Sequence, residues 1–359
     1  RARGDRPALE ALAPYLHEDV LAALLREPGV RVEHALVGVL RIEQIVMPPP
    51  GAPEDSRQVR VQLCYEANIR QRQGERMRAL YLRERWTLSR GADVRTKPPG
   101  SYERLGCPNC AAPFESTDHR RCAFCHQVVG DGRFNWQLLN RVVLAEEAAL
   151  GGLGQQVEER GTDKPPVLAA DLAQRWRALT ARDPAVNDAS IEARLRMIYR
   201  ELNRAWSEQA LDTVRGLVSD GLYDYLRYWV DAYRGAGLRN VLQNMEIELC
   251  QRVKVVEDRY FDAVTLRVHA SGLDYTVRAA SGETVSGSSS RPRRYSEYWT
   301  LIRGSGVRRP PGDDATCPNC AAPLKVTMTG SCEYCAAHIT RGEFDWVLSK
   351  IEQDDVYDG

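Results

Sequence analysis

A seven-residue string, CPNCAAP, occurs twice, at Cys107–Pro113 and at Cys317–Pro323, and each copy opens a set of four cysteines. The sets read Cys107-x2-Cys110-x11-Cys122-x2-Cys125 and Cys317-x2-Cys320-x11-Cys332-x2-Cys335. Two cysteine knuckles facing each other across a short hairpin can bring four thiolates to one tetrahedral ion. The spacing predicts two structural zinc ions, one per set, with every coordination position taken by protein and none open to water or substrate. A rubredoxin-like iron suits the same geometry, and disulfides are the third alternative, disfavoured because a chain of 359 residues does not need staples. Pro108 and Pro318 preset the backbone after the leading cysteine of each set, and Asn109 and Asn319 tolerate the turn that follows.

The match extends on both sides of the shared string. GRFNWQLLNRV (132–142) answers GEFDWVLSKIE (342–352), RERWTLSR (83–90) answers SEYWTLIR (296–303), and VQLCYEA (61–67) faces VTLRVHA (264–270), with LHEDVLAALL (16–25) facing VSDGLYDYLR (218–227) more loosely. Self-similarity over so long a period indicates two whole domains rather than a solenoid. Nothing before Ala8 answers residues 167–210, and the chain opens on Arg1, so the expectation is that the matching helices of the first copy lie upstream, or else have been lost.

In the second copy Ile191, Leu195, Ile198, Leu202 and Trp206 recur at helical spacing, as do Leu222, Tyr225, Leu226, Trp229 and Tyr233 ahead of a GAG break at 235–237. From Met245 the texture becomes alternating, in MEIELCQRVKVVE, YFDAVTLRVHA, LDYTVRAA and RYSEYWTLIR, which predicts a curved antiparallel sheet after a helical layer. Phe134, Leu138 and Val142, like Phe344, Leu348 and Ile351, predict a short amphipathic helix after each cysteine set. The expected organisation is a first, N-terminally truncated cone domain over 1–100, a zinc ribbon and helix over 101–145, and a linker over 146–166. A second cone over 167–310 and a second ribbon and helix over 311–359 complete it.

Lysine plus arginine equals aspartate plus glutamate, 49 against 49, so no overall field draws the protein to nucleic acid or to an anionic bilayer. Local basic runs at 69–90, at 291–294 and at Arg308–Arg309 could track phosphates, but a solvated outer strand face is the commoner use of such runs. The ribbons carry few cations beyond Arg120, Arg121, Arg133, Lys325 and Arg341, and no nucleic-acid partner is expected.

Strand alternation puts Glu84, Trp86 and Leu88 on one face, and Glu297, Trp299 and Leu301 on the matching face of the second copy. A carboxylate beside tryptophan on an apolar face could act as an acid or base. Against this, each glutamate could lie at a wet strand end or pair with an arginine such as Arg90 or Arg303, and His34 and His269 find no counterpart between the copies. No catalytic residue is assigned. Glu84, Trp86, Tyr225, Trp229, Glu297 and Trp299 are the pocket candidates. His126 and His338 sit at different offsets from the last cysteine and are expected to be solvent-exposed; Cys64 and Cys250 are expected to be small buried hydrophobes.

The stretch IYRELNRAWSEQALDTVRGLVSDGLYDYL (198–226) and RYSEYWTLIR resembles the Tim44-like domain family, named for a mitochondrial inner-membrane import subunit. The residues that carry the resemblance are Tyr199, Ala205–Trp206, the Leu222–Tyr225 helix and Glu297/Trp299–Thr300; Glu84/Trp86–Thr87 match in the first copy. It covers 167–303 well and 8–90 in part. The resemblance implies a cone-shaped α+β fold of the nuclear-transport-factor-two-like class, with helices packed into a curved sheet. The expected fold class is accordingly two such cones in tandem, each followed by a four-cysteine zinc ribbon and a short helix. The resemblance also implies a non-enzymatic scaffold or adaptor that binds protein partners at a membrane surface. The cysteine sets make the chain most similar to bacterial relatives with zinc-ribbon modules. The expected place is the cytoplasmic face of a membrane, held by sequence upstream of Arg1, or otherwise the cytoplasm. Two alternatives remain: a small-molecule lyase or isomerase with Glu297 as base, and a zinc-ribbon nucleic-acid binder.

Overall fold

The computed structural model describes residues 6–26, 31–53, 57–95, 106–115, 121–148, 162–308, 316–327, 330–354, 357 and 359. The chain divides into two compact units, Arg1–Gly151 and Gly152–Gly359. Each is a mixed α and β structure built on its own antiparallel sheet.

Unit 1 begins with α1 (Arg6–Ala11), a 3-10 turn (Ala13–Tyr15) and α2 (Glu18–Arg26). The strands β1 (Arg31–Val46), β2 (Gln58–Gln73), β3 (Arg76–Gly91) and β4 (Gln137–Ala148) then form a sheet in that order. Unit 2 opens with α3 (Leu172–Arg182), α4 (Asp188–Ser207), a 3-10 segment (Leu211–Leu217) and α5 (Asp220–Gly235). Its strands are β5 (Leu238–Glu257), β6 (Phe261–Arg278), β7 (Thr284–Gly287), β8 (Arg293–Gly304) and β9 (Val347–Gln353). They are ordered β5-β6-β8-β9, with β7 on β6.

The helices of unit 2 form where the sequence places caps as well as apolar spacing. Asn187 and Ser190 close a reciprocal box at the start of α4, Ser190 N–H donating to Asn187 Oδ1 at 2.9 Å and Asn187 N–H to Ser190 Oγ at 3.0 Å. The stripe Ile191, Leu195, Ile198 and Leu202 is buried against Ile247, Val255, Val264, Leu266 and Val268 of the sheet. In α5, Leu222 and Leu226 are buried as expected, but Tyr225 is exposed, and Tyr223 and Tyr228 take the interior instead. The helix α3, for which the sequence offered no clear stripe, is held by Trp176, whose ring lies 3.7 Å below the Arg252 guanidinium.

Three expectations are corrected. The expected short helices after the cysteine sets are strands, β4 and β9, and each is the last strand of its sheet. A spacing of four satisfies both the helical and the strand period, so Phe134, Leu138 and Val142 could not decide between them. Leu348 and Ile351, three apart, share a face because a register shift between Thr300 and Leu301 absorbs Ser349: Leu301 faces Leu348 and Trp299 faces Ile351. Secondly, YFDAVTLRVHA and LDYTVRAA are one strand, β6, running unbroken through Gly272, where an added Cβ would stand 3.0 Å from Met245 Cα. The glycine marks close approach to a bulge between Gln243 and Glu246, not a turn. Thirdly, residues 146–148 end β4, whereas 149–161 of the expected linker lie outside the described residues.

Several contacts recur at matching positions of the two units. Leu16 bridges Leu138 in parallel, and Val218 bridges Leu348. His17 N–H donates to Leu138 O and Ser219 N–H to Leu348 O, both at 2.8 Å. The guanidinium of Arg90 lies 4.4 Å over Trp136, and that of Arg303 lies 4.6 Å over Trp346. Gly91 N–H donates to Gly132 O, and Gly304 N–H to Gly342 O.

Gly342 has a φ of 72°, and a Cβ there would lie 2.8 Å from Arg303 Cα and 2.9 Å from Ile302 O, both backbone atoms that cannot swing away. Gly342→Ala is expected to destabilise unit 2 by about 2 kcal/mol or more, combining left-handed strain with overpacking. Gly282→Ala, with φ 75° and nothing within 4 Å, should cost less. Urea midpoints of the two variants check the difference.

Candidate functional site

The eight motif cysteines form two clusters, Cys107, Cys110, Cys122 and Cys125, and Cys317, Cys320, Cys332 and Cys335. Within each cluster the Sγ atoms all lie within 4.8 Å of one another. Cys107 and Cys125 are 3.7 Å apart, Cys110 and Cys122 3.9 Å, Cys317 and Cys335 3.7 Å, and Cys320 and Cys332 4.0 Å. Four thiolates at about 2.3 Å around a tetrahedral zinc stand about 3.8 Å apart, so both clusters fit an ion. The same separations are far beyond the ~2 Å of a disulfide, which removes that alternative for this state of the chain.

Each knuckle is one turn closed by a backbone hydrogen bond. Ala111 N–H donates to Cys107 O, His126 to Cys122 O, Ala321 to Cys317 O and Ala336 to Cys332 O, at 2.8 to 2.9 Å. The donors are the left-handed residues, with φ between 57° and 61°. The special conformation therefore falls after the second cysteine of each knuckle and not on Asn109 or Asn319. Asn319 donates instead to sulfur, from N–H to Cys317 Sγ and from Nδ2 to Cys335 Sγ, both at 3.4 Å. Hydrogen bonding from Asn319 holds the Cys335 thiol down at about 6, and Asn109 does the same for Cys125. A second source of negative-charge stabilisation is thus built into the donor set.

The ribbons are seated on their units. Tyr15 Oη donates to Gly106 O at 2.8 Å, and Phe114 packs against both the helical cluster of Leu9, Ala13 and Leu21 and the cluster around Cys107 and Cys122. In unit 2, Leu324, Val326 and Ile339 approach Gly216 of the 3-10 segment closely enough that a Cβ would touch all three. Thr340 Oγ1 donates to Asp220 Oδ1 at 2.7 Å, and Arg194 Nε to Trp346 O at 2.9 Å. His126 is exposed as expected, but His338 is half-buried with Nε2 3.8 Å from Asp220. Cys64 and Cys250 are half-buried rather than buried, and burial pushes the Cys250 thiol up to about 12.

The glutamates diverge between the units. Glu84, 1% exposed, accepts from Tyr65 Oη at 2.5 Å, Trp86 Nε1 at 2.8 Å and Arg141 Nε at 2.9 Å. Burial alone would raise its carboxyl, but the hydrogen bonds of Arg141, Tyr65 and Trp86 outweigh it and hold the group below the ordinary carboxylate value. Its partner is Arg141 of β4, not Arg90. Glu297 also accepts from its tryptophan, Trp299 Nε1 at 2.9 Å, and from Gln353 Nε2 at 2.6 Å. It lines a cavity of about 230 Å³ with Leu202, Trp206, Met245, Tyr295 and Trp299, where Arg293 pairs with Asp274 at 3.1 Å. Tyr225 and Trp229 stand edge-on to each other on α5, outside the lining. Tyr199 and Tyr295 share a 2.6 Å hydrogen bond, and burial raises the phenols of both.

The basic runs are largely engaged: Arg85 pairs with Glu43, Arg294 with Glu248, and Arg133 with Asp131. Arg308 donates to Ser305 O, while Arg309 and Arg120 lie outside the described residues.

A helical layer on a curved antiparallel sheet, with a cavity between them and a four-thiol ribbon before the last strand, defines the class of unit 2. Residues 172–312 match the family model of the Tim44-like domain, and this stretch of the chain is a Tim44-like domain. Among curated proteins none matches the chain.

Two outcomes follow from this geometry. Because the strand after the ribbon completes the sheet, Cys317→Ser is expected to melt ribbon and sheet of unit 2 together. Coincident loss of tryptophan fluorescence and far-ultraviolet dichroism is the readout, and two separate transitions would refute it. Glu84→Gln removes the carboxylate that pairs with the partly buried Arg141 guanidinium and should cost about 3 kcal/mol. The carboxylate of Glu84 has a depressed folded value, so its contribution is complete above the unfolded value of about 4.3 and fades as pH falls through the folded one. Stability measured against pH should therefore lose part of its acid slope in Glu84→Gln.

Proposed function

We propose that the chain is a non-enzymatic scaffold built from two copies of one module, each a nuclear-transport-factor-two-like cone closed by a structural zinc ribbon. It binds protein partners at a membrane surface, on the cytoplasmic side. The observation that carries this reading is the use made of the polar groups. Four thiols at each ribbon satisfy a tetrahedral ion completely. Glu84, the carboxylate that could have served as a base in unit 1, is consumed by three donors. The Tim44-like match supports the membrane and partner terms at the level of family. Among the described residues no helix is long and apolar enough to cross a membrane. The recurring contacts of Arg90 with Trp136 and Arg303 with Trp346 support the duplication.

The cavity beside Glu297 favours a second reading, a small-molecule pocket. At about 230 Å³ it falls below the ~300 Å³ at which ligand pockets begin, and it ranks second for that reason. Metal analysis of the purified chain is expected to give two zinc ions per chain, and iron or a metal-free fold would refute the zinc assignment. Affinity capture from membrane and soluble fractions should return protein partners from the membrane fraction, equally well with Glu297→Gln. Loss of every partner in that variant would favour the pocket reading.

A further inference from the structure

The cavity of unit 2 has a counterpart in unit 1 that the chain fills for itself. On β8, Glu297 and Trp299 stand where Glu84 and Trp86 stand on β3. The residue across the sheet from each tryptophan differs: Arg141 of β4 faces Trp86, and Ile351 of β9 faces Trp299. In unit 1 the Arg141 guanidinium meets Glu84 Oε1 through Nε at 2.9 Å and Nη2 at 2.8 Å, and Tyr65 stands edge-on to Trp86 beside the pair. In unit 2 the same place adjoins a cavity of about 230 Å³, and both Glu297 and Ile351 line it.

The charge of the lining narrows what the cavity can hold. Its ionisable groups at neutral pH are Asp274, Arg293 and Glu297. Asp274 and Arg293 pair at 3.1 Å, so the three together carry one net negative charge. The hydrogen bonds that Glu297 accepts, from Trp299 Nε1 at 2.9 Å and Gln353 Nε2 at 2.6 Å, come from neutral groups and do not cancel it. Burial raises the Tyr295 phenol most, and the Glu297 charge raises it further, so the field of the carboxylate is felt on the aromatic wall.

The three aromatic residues of the lining turn their polar tips to protein. Trp206 Nε1 donates to Asn240 Oδ1 at 2.8 Å, Trp299 Nε1 to Glu297, and Tyr295 Oη shares its hydrogen bond with Tyr199. Ring surface is what they have left to offer, and the π cloud of a ring attracts cations. Leu202, Leu226 and Met245 add an aliphatic wall. An anion would meet like charge, and a neutral polar ligand would find the indole and phenol donors already engaged.

We propose that the cavity of unit 2 takes a small organic cation, a guanidinium or ammonium group on a short aliphatic chain, whose head lies against Glu297 as Arg141 lies against Glu84. The proposal rests on the second reading above, the small-molecule pocket, and names the class of its ligand. At ~30 Å³ per water the cavity equals about eight water volumes, room for a head group and a chain of about four carbons. The same head group is carried by free alkylguanidines and by arginine side chains of other proteins, and the two sources differ in whether a peptide backbone must fit at the mouth.

The test is isothermal titration calorimetry of the full 359-residue chain with n-butylguanidinium and n-butylurea, which have nearly the same shape and differ in charge. Butylguanidinium should bind at least tenfold more tightly in low salt, with the preference shrinking as salt rises. Glu297→Gln, checked for an unchanged near-ultraviolet dichroism spectrum, should erase that preference. Ile351→Arg, which gives unit 2 the guanidinium that unit 1 has, should weaken butylguanidinium at least tenfold; if this variant does not fold, Glu297→Gln decides alone. An acetylated and amidated Gly-Arg-Gly peptide separates the sources: binding as tight as butylguanidinium assigns the site to a side chain, and binding at least tenfold weaker assigns it to a free cation. Equal binding of butylguanidinium and butylurea, or butylguanidinium binding unchanged in Glu297→Gln, overturns the cation and leaves the pocket standing. Absence of binding by both probes and the peptide overturns the pocket as well.

Discussion

The pairing of β9 with β8 is the contact on which the rest of unit 2 depends, and the four-cysteine ribbon lies inside the connection that makes it. The chain leaves β8 at Gly304 and returns at Val347. An unstructured excursion of that length would make the pairing entropically costly, because loop closure is charged before any contact repays it. The four-thiol cluster shortens the excursion into two tethered knuckles, and Gly342 then lays the returning backbone against Ile302 and Arg303. Once β9 is in place, Leu348 receives the start of α5 through Ser219 N–H, and Trp346 receives Arg303 and Arg194. The four-cysteine cluster therefore acts on the sheet through topology, from outside the main hydrophobic core.

Buried arginine is the second theme. Arg303 pairs with Asp183 at 2.8 Å and covers Trp346; Arg267 pairs with Asp354 at 2.9 Å; Arg194 reaches Asp345 at 3.6 Å. Each joins a helix or chain end to the sheet, and each guanidinium spreads its charge over several acceptors or an aromatic face, which limits the desolvation cost. Such pairs contribute little net stability compared with an apolar filling, but they penalise any register that separates them. They are a means of fixing how β9 and its flanks dock.

The sequence disclosed these features unevenly. Cysteine spacing, the stripe of α4 and the alternation of β8 were legible because each is a local pattern with one structural solution. The strands β4 and β9 were not: Leu138 and Val142, four apart, fit both periods, and Leu348 and Ile351, three apart, fit a strand only because of the register shift between Thr300 and Leu301. Glu84 and Glu297 looked alike in RERWTLSR and SEYWTLIR, yet one is sealed by Arg141 and the other faces a cavity beside Gln353. The difference lies on the neighbouring strand, where Arg141 stands opposite Trp86 and Ile351 stands opposite Trp299. No reading confined to the β3 and β8 segments could have found it.

That single exchange across the sheet also explains why the two units hold different interiors. In unit 1 Arg141 brings a charge onto the inner face and Glu84 neutralises it, so Tyr65 and Trp86 pack around an ion pair with ring centroids 4.9 Å apart. In unit 2 Ile351 stands where unit 1 has Arg141, and the space between Trp299, Tyr295 and Trp206 stays open. A helical roof is compatible with the second arrangement, because α4 and α5 supply Leu202 and Leu226 to the cavity wall. In the first arrangement the ion pair fills the β3 and β4 half of the face and the apolar residues of β1 extend beyond it. Differences in one strand thus decide which part of each sheet is closed by its own side chains and which part is left for another element to cover.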